Sequence, residues 1–223
     1  VQRVGLLHRL SDADRADLVG RGTERRFRAG TTLFNEGDAS DWVVGILEGR
    51  VKVAAITEDG REVVLAVCTP GEVLGELAAV DGRPRSATAT SIDEVRAVVV
   101  PVAEVRDFLG THPEAAMLLL ESVAERLRDA DRREVEYAAL DSIGRVASRL
   151  VQLAERFGVP ADDGVRIELP FSQDELAGWT GCSREAVGKA LQSLRRRGSI
   201  TTGRRSITVL DLEGLRGRAG LTA

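Results

Sequence analysis

From Thr23 onward the chain alternates apolar and polar residues in short runs separated by glycine-bearing breaks. The runs Arg26–Phe27, Thr31–Phe34, Trp42–Leu47, Arg50–Thr57, Glu62–Val67, Ala87–Ser91 and Val95–Val100 predict strands, because a period of two turns one face of each toward a core. Turns fall at Ala29-Gly30, Glu36-Gly37-Asp38, Glu48-Gly49, Asp59-Gly60 and Pro70-Gly71, and Asp59-Gly60 is the clearest hairpin signal. Strands this short and closely spaced predict an antiparallel sandwich or roll. Ahead of them, residues 1–20 read as an amphipathic helical start carrying Leu6, Leu7, Leu10 and Leu18, with Ser11-Asp12 as its cap.

After Pro101 the period changes from 2 to 3.6. Residues 102–109 predict a short helix closed by Gly110, and a longer one starts near His112-Pro113 with Glu114 in its first turn. Along it Leu120, Val123, Leu127, Ala130, Glu134 and Tyr137 recur at three and four residues, the spacing of a coiled-coil seam. A helix packed on its own β-domain gives the same spacing, so periodicity leaves both open. A further unit begins near Leu140-Asp141, where Asp141 or Ser142 caps a helix with Val146, Leu150, Leu153 and Phe157 on one stripe. Gly158 and Pro160 stop it, residues 161–164 read as a loop, and Val165–Leu169 alternates as a strand.

The next stretch carries denser local signals. Ser172-Gln173-Asp174-Glu175 is a capping box that opens a brief helix ending at Gly181. Ser183 caps a second helix, Arg184–Arg196, with Val187, Leu191 and Leu194 inward, and Ala177 offers the small residue a close crossing needs. Two short helices across a glycine turn, the second arginine-rich, predict a helix-turn-helix. Beyond Gly198 the run to Asp211 predicts a hairpin, which makes the unit a winged helix.

Composition sharpens this picture. The 223 residues are 43% hydrophobic and 30% charged, as in an ordinary folded protein, and no apolar run is long enough to span a bilayer. The net charge of −4 is unevenly spread: residues 141–223 hold 13 Lys/Arg against 10 Asp/Glu, leaving 18 against 25 before them. Within 181–205 seven basic residues face one acidic residue, so the back of the chain is suited to a polyanion. Two distant cysteines, Cys68 and Cys182, and two histidines make no metal cluster or catalytic set, which disfavours an enzyme and fits a cytoplasmic protein without metal or membrane attachment.

The loop 71–88 concentrates another chemistry. Gly75 lets a backbone N–H approach an anion closely, and Arg85 is a planar donor fork for two phosphate oxygens. Glu76 can accept from a sugar hydroxyl, and Ser86 offers a second donor to phosphate. Together they suggest a pocket for a small phosphorylated nucleoside. The plainer alternative is a surface turn with an ion pair between Glu76 and an arginine.

The run Gly75-Glu76-Leu77-Ala78 followed by Arg85-Ser86 resembles the phosphate-binding cassette of cyclic-nucleotide-binding domains, whose glycine-punctuated jelly roll matches glycines 30, 37, 49, 60 and 71. The run from Gly181 to Leu191 resembles the recognition helix of Crp/Fnr regulators. That resemblance implies an α+β chain: a jelly roll over 1–110, a dimerisation helix over 111–139 and a winged helix-turn-helix over 140–223. It implies a homodimer on a pseudo-palindromic operator in double-stranded DNA, with RNA polymerase as a further partner. Arg184, Glu185 and Lys189 fall on the base-reading positions, which suits guanine and cytosine edges. Ser172, Ser183, Arg204 and Arg205 are candidate phosphate contacts. The family's effector implies cyclic AMP first and cyclic GMP second, bound by Gly75, Glu76, Leu77, Ala78, Arg85 and Ser86, with no metal. Where catabolite activators place two polar residues over the base, this chain has Ala130 and Asp131. Either the base is held differently, or the pocket is degenerate and the regulator binds DNA without an effector.

Overall fold

In a computed structural model, residues 4–168 and 172–220 are described. They form two compact units, one built mainly from residues 4–128 and the other mainly from 129–220.

The first unit opens with α1 (Leu6–Arg9) and α2 (Asp12–Gly20), where the sequence suggested one helical start. Leu10 and Ser11 make the split: the extended backbone of Leu10 ends α1, and the Ser11 side chain caps α2 through the Asp14 amide at 3.1 Å. Strands β1 (Thr23–Phe27), β2 (Thr32–Phe34), β3 (Trp42–Glu48), β4 (Val51–Ile56), β5 (Glu62–Cys68) and β6 (Val73–Leu74) follow. After a short helix α3 (Glu76–Asp81) come β7 (Thr88–Ser91), β8 (Val95–Pro101), α4 (Val102–Thr111) and the long helix α5 (Pro113–Ala139). The strands make two four-stranded sheets, ordered β1-β8-β3-β6 and β2-β7-β4-β5. The pairs β1–β8, β8–β3, β3–β6, β2–β7 and β7–β4 are antiparallel, and the glycines at 30, 37, 49, 60 and 71 each turn with positive φ.

Two apolar clusters explain why β8 is buried on both faces. Val95 and Ala97 point between the sheets with Phe34, Val44, Ile46, Val51 and Leu74. Val98 and Val100 point the other way, against Leu6, Leu7, Leu10, Leu18, Val105, Phe108, Ala115 and Leu119 of the helices. Each of the valine, leucine, isoleucine and phenylalanine side chains among them stabilises the fold by roughly 1.5–3 kcal/mol on full burial. Helix α4 continues through Gly110 to Thr111, past the stop expected at the glycine, and His112 ends it through a bond from its amide to Phe108. The α1 backbone also lies against the turn before β6: Leu7 N–H donates to Gly71 O at 2.8 Å, and a Cβ on Gly5 would overlap the Gly71 carbonyl carbon.

Helix α5 has one apolar face inside the unit and apolar residues exposed elsewhere along it. Ala115 and Leu119 are buried in the unit's own core, whereas Met117, Leu120 and Leu127 are 56%, 59% and 62% exposed. No helix among the described residues is long and apolar enough to cross a membrane.

The second unit continues with α6 (Ser142–Phe157), capped by Asp141 through the Gly144 amide at 2.8 Å. Gly158 ends α6 in an extended rather than left-handed conformation; a Cβ there would overlap Ala154 O and the Val165 side chain, so close approach is what selects glycine. Strand β9 (Val159–Ala161) occupies the start of the expected loop and pairs with β10 (Gly164–Glu168). The strand expected at Val165–Leu169 is thus present through Glu168, and Leu169 lies outside the described residues, as do residues 1–3 of the helical start. Helices α7 (Gln173–Thr180) and α8 (Arg184–Arg196) precede the hairpin β11 (Ile200–Gly203) and β12 (Ser206–Val209), and α9 (Leu212–Arg218) was not foreseen. The sheet order β11-β12-β10-β9 makes the wing continuous with the strands that lead into the helix pair.

Candidate functional site

The 75–86 loop is not a surface turn. Gly75 has φ +76, the left-handed region that favours glycine, and α3 starts at the next residue, so the expected irregular loop is helical from Glu76 through Ala78 to Asp81. Arg85 is only 4% exposed. Its backbone is fixed on both sides, donating to Asp38 O at 3.0 Å and accepting from Gly37 N–H at 2.9 Å. Its guanidinium lies 4.3 Å from the Phe34 ring centroid and 4.7 Å from that of Trp42, while the rings meet edge to face at 5.7 Å.

The Arg85 donors go to main-chain carbonyls. Nη1 donates to Gly75 O at 3.3 Å and Nη2 donates to Trp42 O, while Nε has no partner among the described residues. Burial pushes the Arg85 pKa below the usual arginine range, against the weaker pull of Glu76, Asp38 and Asp41. A Cβ on Gly75 would collide with Nη1, so the glycine's missing side chain is the space the cation fills.

Glu76 is buried at 3% exposure, and it is held by an arginine the sequence reading missed. Arg126 of α5 donates to its Oε1 at 2.5 Å and to Val73 O at 2.8 Å. Burial lowers the Arg126 pKa, but the charges of Glu76, Cys68 and Glu72 together raise it more, and the net direction is upward. The ion pair weighed as the plainer alternative therefore exists, but inside the unit rather than on its surface. Leu77 and Ser86 are exposed at the two ends of the loop. Ala130 and Asp131 lie on α5 and belong to the second unit.

In the second unit the structure assembles the helix pair as the sequence suggested. Ser172 and Glu175 complete the capping box, with Glu175 N–H donating to Ser172 Oγ at 3.1 Å and Ser172 N–H donating to Glu175 Oε2 at 2.8 Å. Gly181 turns with φ 60, and the Tyr137 ring and the Arg145 guanidinium close over it; a Cβ there would be 2.9 Å from the ring. Ser183 caps α8 through the Ala186 amide at 3.1 Å. Beneath the pair Arg149 is buried, stacked on Trp179 at 5.2 Å, with Glu136 at 3.9 Å as its counter-ion. Burial pushes the Arg149 pKa down to about 10.

The outward face of α8 carries Arg184, Glu185, Lys189 and, unforeseen, Gln192. Residues 185, 189 and 192 share one face by helical spacing, which was the available signal for Gln192. Arg184 lies 3.5 Å from Asp174, and Lys189 lies 2.7 Å from Glu185. The Lys189 bond lowers the Glu185 pKa, and the same bond raises that of Lys189. Arg204 and Arg205 form the tip between β11 and β12, and Arg205 has φ 56, the one positive φ at a non-glycine among the described residues. An arginine in the left-handed region is held there against its own preference by about 1–2 kcal/mol.

Comparison with known proteins agrees with both halves. Residues 24–112 match the family described as cyclic nucleotide-binding domain, and residues 144–218 match the Crp-like helix-turn-helix domain. A "CRP-like cAMP-activated global transcriptional regulator" of Mycobacterium tuberculosis is 38% identical over 86% of each chain. A "Global nitrogen regulator" of Synechocystis is 31% identical over 82% of each. Among solved structures, a CRP/FNR-family transcriptional regulator of Thermus thermophilus superposes with TM-score 0.75 at 30% identity, covering 89% of this chain and 98% of that one. The regulator CLP of Xanthomonas campestris, at 22% identity and TM-score 0.80 over 89% and 99%, shares the fold. Two domains matched in order, and relatives similar along most of their length, place the protein in the CRP/FNR family of transcription regulators, with a cyclic-nucleotide-binding domain before a Crp-like helix-turn-helix.

Proposed function

We propose that this regulator works as a dimer whose DNA affinity is set by a cyclic nucleotide, cyclic AMP in preference to cyclic GMP. The observation that carries the reading is Arg85: a cation 4% exposed, with no carboxylate bonded to it among the described residues and an orphaned Nε, beside a glycine whose Cβ position it fills. Burying an unpaired charge is costly, and an arriving phosphate relieves that cost by supplying the missing anion. Gly75 and Ser86 supply further contacts to phosphate, and Leu77 and Ala78 complete the first turn of α3 beside it. Glu76, held in place by Arg126, accepts from the ribose hydroxyl. The name of the Mycobacterium tuberculosis relative, which calls it cAMP-activated, supports the choice of nucleotide.

The exposed Met117, Leu120 and Leu127 supply the apolar edge for pairing α5 with a second copy. Ala130 and Asp131 follow on the same helix, at the places the family resemblance assigns to residues over the base. Arg184, Glu185 and Lys189 read bases, while Ser172, Ser183, Arg204 and Arg205 touch phosphates. Effector acts only through its different affinities for the two arrangements of the dimer.

A second reading, an effector-independent regulator, is favoured by one observation: Ala130 brings no polar atom where a base would need one. Calorimetric titration with cyclic AMP and with cyclic GMP, paired with operator binding, separates the two. The effector reading expects saturable binding, tightened DNA affinity, and loss of both responses in Arg85→Ala. Absence of nucleotide binding by the native protein leaves the second reading standing.

A further inference from the structure

We propose that Phe34 and Trp42 are positioning residues for Arg85, a two-ring clamp that stores the guanidinium in the glycine cradle and sets the effector concentration at which the regulator responds. The inference rests on the effector reading above and adds its regulation.

Three features point to storage rather than readiness. First, the guanidinium occupies space at Gly75 itself, where the backbone would otherwise admit an anion. Second, one N–H on each of the two terminal nitrogens a phosphate would engage is already committed, Nη1 to Gly75 O and Nη2 to Trp42 O. Third, the two rings flank the cation at 4.3 and 4.7 Å, in a site closed enough that the arginine is 4% exposed. Cation–π contact strengthens when water is excluded. The clamp therefore competes with any phosphate for the same group.

The chain builds this clamp from two strands. The β2–β7 register shifts between Thr32 and Phe34, and such an irregularity re-aims a side chain. Trp42 begins β3 opposite Pro101, so its carbonyl and its ring both meet the same guanidinium. Because the Arg85 amide and carbonyl are bound to Asp38 and Gly37, release requires a change of the side-chain rotamer and not of the loop. Neutral carbonyls and rings hold a cation less strongly than the two oxygens of a phosphate anion do, so the exchange runs toward the ligand once it is present.

The test uses the full chain, cyclic AMP as probe, and the variants Trp42→Leu, Phe34→Leu and Trp42→Phe. Removing one ring contact is expected to tighten cyclic AMP binding about tenfold, and Trp42→Phe to stay near the native value. A background of Trp179→Phe leaves Trp42 as the one indole, and its emission is expected to change as ligand withdraws the guanidinium. Unchanged or weaker binding in both leucine variants, or Trp42 emission indifferent to bound ligand, overturns the clamp while leaving the effector reading intact. Failure of native protein and leucine variants alike to bind cyclic AMP overturns both.

Discussion

Glu76 is bonded to Arg126, 50 residues away on α5, and not to Arg85 of its own loop. The acid and the base of the 75–86 loop thus have separate partners, one ionic and one aromatic. Removing Arg126 leaves a carboxylate at 3% exposure without its counter-charge. Arg126→Leu is expected to destabilise the first unit by about 3 kcal/mol, and Glu76→Gln in that background to recover part of it. A double-mutant cycle in urea, read by tryptophan fluorescence, measures the coupling; additive losses would show that the pair contributes nothing.

The proposed DNA contacts separate into two kinds. Arg184→Ala is expected to weaken specific binding by about 1–3 kcal/mol and relax the choice at one base pair. Arg204→Ala is expected to weaken all sequences evenly and to lower the salt slope by about 1. Anisotropy titrations across operator variants and salt concentrations distinguish the two, and equal behaviour of both variants refutes the assignment.

The wing tip trades stability for charge. Arg205 sits at φ 56. Arg205→Gly is expected to stabilise the second unit by about 1 kcal/mol while weakening DNA binding. Thermal melts and the same anisotropy series read both effects. A variant neither more stable nor weaker on DNA would make the arginine incidental.

Asp141 gives the second unit an acid-sensitive helix start. The Gly144 amide holds its carboxyl below the usual aspartate range, outweighing the opposite effect of burial, and Arg218 adds to the downward pull. A depressed folded-state value stabilises above the unfolded value of about 3.9, and that stability fades as pH falls through the folded value. Asp141→Asn, which retains a cap, is expected to flatten the acid limb of the melting profile, and Asp141→Ala to lose about 1 kcal/mol at neutral pH. Parallel acid limbs in the native protein and the Asp141→Asn variant would exclude this contribution.

The strands and the helix pair were legible because their signals are local. Alternation in Trp42–Leu47 and Val95–Val100, the Asp59-Gly60 turn, and the Ser172/Glu175 box each act over a few residues. What was hidden depends on distance or on shortness. Arg126 reads along α5 as one more solvent charge, and nothing near it in sequence announces Glu76. Phe34 and Trp42 read as core positions, since alternation says that a side chain turns inward but not which group it meets there. Helix α3 and strand β9 are each shorter than a periodic window, and α9 is interrupted by Gly214 and Gly217. Their positions come from packing against the rest of their units, which no local pattern carries.

The main-chain contact between Gly5 and Gly71 gives the opening helix a second office. It is a strut against the turn that precedes the 75–86 loop, joined backbone to backbone by the Leu7 amide and the Gly71 carbonyl. Whatever pulls on the front of the chain, a fused label or a docked partner, therefore bears at once on that turn and on the strand residues Val43, Val98 and Val100 that share a core with Leu6 and Leu7.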